Sequence, residues 1–266
     1  MDLQFDSILN NPKLGDLDLK IFSLLSDLLT AKLDPSTAAQ QINRLFPRPD
    51  GILPATYLED VDEFLWIFWG MVIEIIQLVP YQHRAQEYML SMLQSLSGIS
   101  QATVKIWSVE SKVWQELPLL GSYLRDNWIS PTYQGKVPEA QDAEKWKSLN
   151  SFAARMLGKR LGSWWNFAMW ELQAALEEEY KDQAIADCNV TVACEWIVHS
   201  GDYIFEQIGN ADGQSEQGPL YSGPPGLCLE RWNFWKRRLR EMSQLVSGPL
   251  KHEVLSAADR MDKLVN

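Results

Sequence analysis

The sequence predicts an all-α fold, a globular bundle of about eight or more helices. Apolar residues recur at steps of three and four through most of the 266 residues, which is the spacing that places them on one face of a helix. Proline and glycine interrupt this pattern where helices would end, and alternating runs typical of strands are almost absent. Hydrophobic residues make up 46% of the chain and charged residues 22%, which is ordinary for a folded globular protein.

The first two predicted helices form a pair. One has a broad apolar face from Leu17 to Leu29. The next begins at Asp34-Pro35, because aspartate accepts hydrogen bonds from the free amides at a helix start and proline suits the first helical position. Its apolar stripe runs from Ala38 to Phe46 and stops at Pro47. Residues 48–55 contain proline and glycine and are predicted to form a loop.

The longest apolar stretch, Phe64 to Val79, is predicted to be a helix buried on most sides. Acidic residues between positions 59 and 63 precede it, and negative charge there stabilises the positive end of the helix dipole. A membrane-spanning helix needs about 20 apolar residues. This stretch contains Glu74 and stops at Pro80, so no membrane span is expected. A further helix is predicted from Ala85 to Leu96.

Residues 99–138 break the helical pattern. Val104 to Trp107 has the composition of a strand, and three prolines interrupt the region, so irregular structure with short helices is expected. We expect a single all-α domain over residues 1–266. If the chain instead forms two helical halves, they meet near 99–138.

Regular helical spacing returns in the second half of the chain. A loop from Gly209 to Gly226 contains five glycines and three prolines, and it is expected to be exposed and either disordered or a flap over a site. The predicted helical stretches are 146–157, 164–176, 188–207, 228–246 and 254–264.

The charge balance excludes several partners. There are 24 Lys and Arg residues against 35 Asp and Glu residues, a net charge of −11 that repels phosphate backbones and anionic lipids, so no nucleic acid or membrane surface is expected as a partner. The three cysteines, Cys188, Cys194 and Cys228, form no C-x-x-C pair and fit a reducing compartment. No leader pattern is visible at the first residues, and a cytoplasmic location is expected. The sequence makes no prediction of the oligomeric state.

Sequence motifs of common enzyme classes are absent. The chain contains no G-x-x-x-x-G-K-[ST] phosphate loop, no G-x-S-x-G elbow and no H-E-x-x-H zinc motif. None of the three histidines has the Glu-x-x-His spacing of helical di-iron sites. We therefore expect neither a metal nor another cofactor.

Four polar residues are candidates for chemistry. Glu195 and His199 are four residues apart on a predicted helix, a spacing that places the carboxylate beside the imidazole. Such a pair can move a proton or can be an ordinary surface pair. Asn150 and Arg155 can orient a polar group of a substrate, or they can form a buried network that ties helices together.

The twelve tryptophans are the most unusual feature of the composition. Core packing explains most of them, but a minority lining a cavity would supply flat, apolar walls and would stabilise a developing positive charge. The candidate substrate-binding residues of this kind are Trp66, Trp69, Trp196, Tyr203 and Trp232.

Several stretches, taken in order, resemble a family of fungal proteins known as domain of unknown function 3632. The resemblance covers the chain from about Leu65 onward. It implies a fungal, intracellular, helical protein and transfers no catalytic residue. Members can sit among biosynthetic genes for natural products, which favours a small-molecule role. The matching stretches are Val79–Gln86, Trp114–Pro118, Trp146–Arg155, Ala175–Glu177 and Arg231–Lys236.

Two functions of different classes are expected. The first is a cofactor-independent biosynthetic enzyme of fungal secondary metabolism, which binds a hydrophobic small molecule in a Trp-lined helical cavity and promotes cyclisation or rearrangement. Glu195, His199 and Arg155 would be its catalytic residues. The alternative is a non-catalytic interaction or scaffold protein with an exposed aromatic groove for a partner helix.

Overall fold

Helices account for nearly all the regular structure. The computed structural model describes residues 3–47, 57–99, 103–106, 109–209 and 216–265. These residues form eleven α-helices and one two-stranded hairpin, which confirms the predicted multi-helix, mostly α class. The elements are α1 (Asp6–Leu9), α2 (Asp16–Leu29), α3 (Pro35–Leu45), α4 (Tyr57–Leu78), α5 (Ala85–Ser97), β1 (Thr103–Ile106), β2 (Val109–Lys112), α6 (Leu120–Asp126), α7 (Ala140–Gly158), α8 (Trp165–Leu176), α9 (Gln183–Glu206), α10 (Leu229–Met242) and α11 (Lys251–Val265).

The chain divides into two compact units, residues 1–129 and 130–266. The division falls inside the range 99–138, where the helical pattern of the sequence is weakest. The first unit contains α1–α6 and the hairpin, and the second contains α7–α11. The predicted loop at 48–55 lies outside the described residues.

In the first unit α4 supplies much of the core. It packs against α2, α6 and β1, and most of its apolar side chains are buried, as the sequence predicts. Its rings join Trp114 in an aromatic cluster, in which the Phe68 and Trp114 centroids are 5.6 Å apart. The Trp114 indole N–H donates to Asn43 Oδ1 at 3.0 Å and so ties this cluster to α3. No described helix is long and apolar enough to cross a membrane.

The hairpin interrupts the helical order of the first unit. β1 and β2 pair antiparallel, with Ile106 opposite Val109. The strand predicted from Val104 is present up to Ile106, and Trp107 lies outside the described residues. The partner strand β2 was not predicted, because its polar sequence lacks the β-branched and aromatic residues that signal a strand.

In the second unit α9 is the central helix. It packs against α7, α8 and α11, while α10 packs against α8 and α11. The helix begins at Gln183 rather than near Cys188, because Asp182 caps it and accepts the Ala184 amide at 2.8 Å. Ile185 and Ala186 in this first turn are buried, so the apolar face of the helix also begins earlier than the sequence analysis placed it.

Helix α2 ends on a residue in the left-handed region. Ala31 has φ 60°, and the Lys32 amide donates back to the Asp27 carbonyl at 2.8 Å. Glycine adopts this conformation without a Cβ clash. We predict that Ala31→Gly raises the free energy of unfolding by about 1 kcal/mol, measured by urea denaturation. Ser26→Gly, within the same helix, should lower it instead, and a loss with both variants would contradict this account.

Candidate functional site

Two of the predicted wall residues lie in the first unit. Trp69 is fully buried, and its indole N–H donates to the Pro118 carbonyl at 2.8 Å. Trp66 is half-buried, with its ring centroid 5.1 Å from that of Tyr123, and it lines a surface groove of about 540 Å³. The remaining predicted site residues all belong to the second unit.

Asn150 and Trp196 are bonded to each other in the core of the second unit. The Trp196 indole N–H donates to Asn150 Oδ1 at 2.9 Å, and the Asn150 amide donates to the Trp146 carbonyl at 3.0 Å. Both side chains are completely buried. The pair therefore connects α7 to α9.

The three predicted catalytic residues meet at a second junction of α7 and α9. His199 Nε2 lies 3.2 Å from Glu195 Oε2. The Ser151 hydroxyl donates to the same carboxylate oxygen at 2.5 Å, and Arg155 Nε donates to Ser151 Oγ at 3.2 Å. Sequence reasoning missed Ser151, although its position four residues before Arg155 places the two on one helical face.

The order of these groups limits their chemistry. A serine nucleophile needs a histidine that takes its proton. Here the Glu195 carboxylate lies between Ser151 and His199, so the geometry differs from that of a Ser-His-acid triad. The arrangement is suited to holding a proton between imidazole and carboxylate, or to joining the two helices.

The last two predicted wall residues pack separately. The Tyr203 ring lies 5.4 Å from the Arg160 guanidinium, and Arg160 also pairs with Glu206. Trp232 is fully buried against Phe205, with ring centroids 5.2 Å apart.

A cavity of about 960 Å³ opens elsewhere in the second unit, beside α8. We call it the α8 cleft. Its lining includes none of the residues predicted as a site. It is formed by α8, the start of α9 and three connecting segments, 130–135, 178–181 and the loop at 216. Its lining residues are Ser130, Thr132, Tyr133, Gln134, Gly135, Trp170, Glu171, Gln173, Ala174, Glu178, Glu179, Tyr180, Lys181, Ile185, Asn189 and Glu216.

A hydrogen-bond chain fixes one wall of the α8 cleft. The Tyr180 hydroxyl donates to the Ala174 carbonyl, and the Asn189 amide lies 3.4 Å from that hydroxyl. Asn189 Oδ1 accepts the Thr132 hydroxyl at 2.8 Å, which ties the segment 130–135 to α9. Burial raises the pKa of Tyr180 well above its usual range, so the phenol remains a hydrogen-bond donor.

Acidic side chains dominate the charge of the α8 cleft. Glu171, Glu178, Glu179 and Glu216 line it, against the single ammonium of Lys181. Glu171 is only 7% exposed. Burial raises the pKa of the Glu178 carboxyl, and the nearby charge of Glu177 raises it further.

A buried ion pair holds the neighbouring chain segments in place. Glu177 and Arg231 are both fully buried, and the guanidinium donates to the two carboxylate oxygens at 2.6 and 2.9 Å. The Trp235 indole N–H donates to Glu177 Oε1 at 2.7 Å, and the Gly218 amide donates to Oε2 at 2.8 Å. We call these four residues the Glu177–Arg231 clamp.

The clamp also fixes the loop that precedes α10. Arg231 donates to the carbonyls of Glu216 and Gly226, at 2.8 and 3.3 Å. A Cβ at Gly218 would lie 2.5 Å from the Glu177 Cβ, so only glycine fits there. The sequence predicts an exposed loop over Gly209–Gly226. In its described part, 216–226, about half of the residues are exposed as predicted, while Gly218, Tyr221 and Gly226 are buried.

No metal centre is evident in the described part of the chain. No group of three or more His, Cys, Asp or Glu side chains is placed there to hold a metal ion.

Most of the second unit, which contains the clamp and the cleft, is covered by a match to a known family. Comparison with protein families matches residues 69–239 to the family described as Protein of unknown function (DUF3632). This match covers more than half of the chain, so the chain belongs to that family, and the resemblance seen in the sequence is confirmed. No curated protein and no solved structure matches the chain.

The clamp should dominate the stability of the second unit. Glu177→Gln and Arg231→Met each leave an uncompensated buried charge or donor set, and each should lower the free energy of unfolding by about 3–5 kcal/mol. The double variant should lose less than the sum of the two. Urea denaturation of the three variants tests this. Arg160→Met, which breaks an exposed pair, should have little effect, and an equal effect would contradict the assignment.

Ser151 should contribute more than a neutral hydroxyl in the same core. Its hydrogen bond to the Glu195 carboxylate is charge-assisted, so Ser151→Ala should lower the free energy of unfolding by about 2 kcal/mol. The matched control is Ser200→Ala, whose buried hydroxyl donates to the Trp196 carbonyl at 2.8 Å and should cost under about 1 kcal/mol. Equal losses in thermal unfolding would show that the carboxylate adds nothing.

Proposed function

We propose that this protein binds a small organic molecule in the α8 cleft. The observation that carries the proposal is the cavity of about 960 Å³, because ligand sites usually occupy about 300–1,000 Å³ and combine aromatic walls with a few fixed polar groups. Trp170 and Tyr133 supply aromatic surface, and the Thr132–Asn189–Tyr180 chain supplies polar groups in fixed positions.

The lining favours a ligand with polar groups. The sequence predicts a hydrophobic molecule held by tryptophan walls. In the α8 cleft, Trp170 is joined by carboxylates and by the side-chain amides of Gln134, Gln173 and Asn189. A purely apolar ligand would remove water from these groups without replacing their hydrogen bonds.

A narrower form of the proposal is an enzyme of fungal secondary metabolism, a cyclase or isomerase that acts on the bound molecule. Within the cleft, Glu178 is the carboxyl proposed for proton transfer, because it lines the cavity and burial raises its pKa above the usual value. The Glu195–His199 pair on α9 is the second candidate for that role. Neither role requires a cofactor.

We also propose a cytoplasmic location. Cys188, Cys194 and Cys228 are all free thiols, as expected in a reducing compartment. Burial raises the pKa of the Cys188 thiol to about 12, and it raises the pKa of Cys194 as well. The two buried thiols therefore stay protonated and unreactive.

Blocking the cleft should abolish ligand binding. Ala174 lies on the cleft wall, and Ala174→Phe places a ring inside the cavity. In a fragment screen by saturation-transfer NMR, we expect compounds that bind the wild-type protein to lose their signal with this variant. The control is Ala140→Phe, which adds the same ring at an exposed position outside the lining.

Two results would count against the proposal. One is a screen that finds no compound bound to the wild-type protein, which would favour the scaffold alternative. The other is a set of bound compounds unaffected by Ala174→Phe, provided that circular dichroism and urea denaturation show both variants folded.

A further inference from the structure

We infer that the α8 cleft selects organic cations, that is, a molecule with an amine or quaternary ammonium group on a larger organic skeleton. This inference rests on the proposed function, because it names the ligand class of the same cavity. Three features support it together: the shape of the cavity, the balance of charge on its walls, and the exposed aromatic rings beside those charges.

Three carboxylates of the cleft have no cationic partner among the described residues. Glu178, Glu179 and Glu216 line the cavity, and their carboxylates form no hydrogen bond or ion pair with any described residue. Lys181, the one cation of the lining, is exposed and pairs with none of them. Elsewhere in the same unit, carboxylates such as Asp262 and Glu241 are paired with basic residues of α10. The lining therefore carries several carboxylates against one lysine, an excess of negative charge inside a cavity.

Partial enclosure strengthens this attraction. Glu171 is only 7% exposed, and Glu178 is half-buried. Coulomb attraction grows as the effective dielectric constant falls, so a cation inside the cavity interacts more strongly than one at an open surface. Burial also raises the pKa of Glu178, and the charge of Glu177 raises it further, which reflects the same partial enclosure. An anion would be repelled by these groups.

The aromatic rings add selectivity for organic cations over simple ions. Trp170 is 46% exposed and Tyr133 is 71% exposed, although large aromatic side chains are usually covered. Both line the cavity that the carboxylates line. Ring faces attract ammonium groups, and they also pack against the carbon skeleton that carries the charge. A cavity of about 960 Å³ leaves room for such a skeleton.

A pair of probes that differ only in charge tests the inference. Dansylcadaverine carries a primary ammonium group, and its N-acetyl derivative carries a neutral amide on the same skeleton. We expect the full-length protein to bind the cationic probe at least tenfold more tightly, measured as a Kd by fluorescence anisotropy. Ala174→Phe should abolish that binding, and added salt should weaken it.

Variants of the lining identify the groups responsible. Glu178→Gln/Glu216→Gln should weaken binding of the cationic probe about tenfold and leave the acetylated probe unchanged. The control, Glu139→Gln/Glu230→Gln, removes two exposed carboxylates of the same unit that lie outside the lining. Its Kd values should match those of the wild-type protein, and thermal unfolding should show both double variants folded.

The outcomes separate the two proposals. Equal affinity for both probes, lost in Ala174→Phe, would overturn the selectivity for cations and leave the cleft as a ligand site. Absence of binding by the cationic probe would overturn the inference as well, while the NMR screen decides separately whether the cleft binds other molecules. Equal weakening of probe binding in the cleft and control variants would show that net charge alone attracts the probe. That result would also overturn the inference.

Discussion

The fully buried pairing of Glu177 with Arg231 is the constraint on which the second unit depends. Removing two charges from water is unfavourable unless their attraction and their other hydrogen bonds offset it. Here the guanidinium donates hydrogen bonds to both carboxylate oxygens. The carboxylate accepts two more, from Trp235 and Gly218, and the guanidinium donates two more, to loop carbonyls. One interaction therefore fixes the end of α8, the start of α10 and the loop between residues 216 and 226. Glu178, Glu179 and Glu216 adjoin this clamp, so the acidic wall of the α8 cleft depends on it.

The stretches that carry the family resemblance are the junctions of the fold. Trp146–Arg155 contains Asn150 and Ser151, which bond to α9. Ala175–Glu177 and Arg231–Lys236 are far apart in the chain, yet the clamp joins them. In the first unit, Trp114–Pro118 accepts a hydrogen bond from Trp69. The stretches that resemble the family are therefore ones that hold the helices together. The carboxylates proposed to select the ligand lie beside these stretches rather than within them.

Local patterns in the sequence predict most of the helices and little of the site. The spacing of apolar residues locates α2, α4 and α5, and Asp34 marks a helix start correctly because capping is a local interaction. The contact between Glu195 and His199 is also local, since four residues make one helical turn. The partners Glu177 and Arg231 are 54 residues apart, and no spacing rule connects them. The α8 cleft is formed by segments from four parts of the chain, so its lining follows only from tertiary packing.

The separation of Glu177 from Arg231 also bears on how the protein is made. A ribosome synthesises α7, α8 and α9 before it reaches Arg231, so during that interval the Glu177 carboxylate has no buried partner. Until that arginine emerges, the hydrogen bonds that join the end of α8 to α10 through the clamp cannot form. The clamp is thus completed late in synthesis, and a chain that stops before α10 lacks the arginine that fixes the Glu216 side of the α8 cleft.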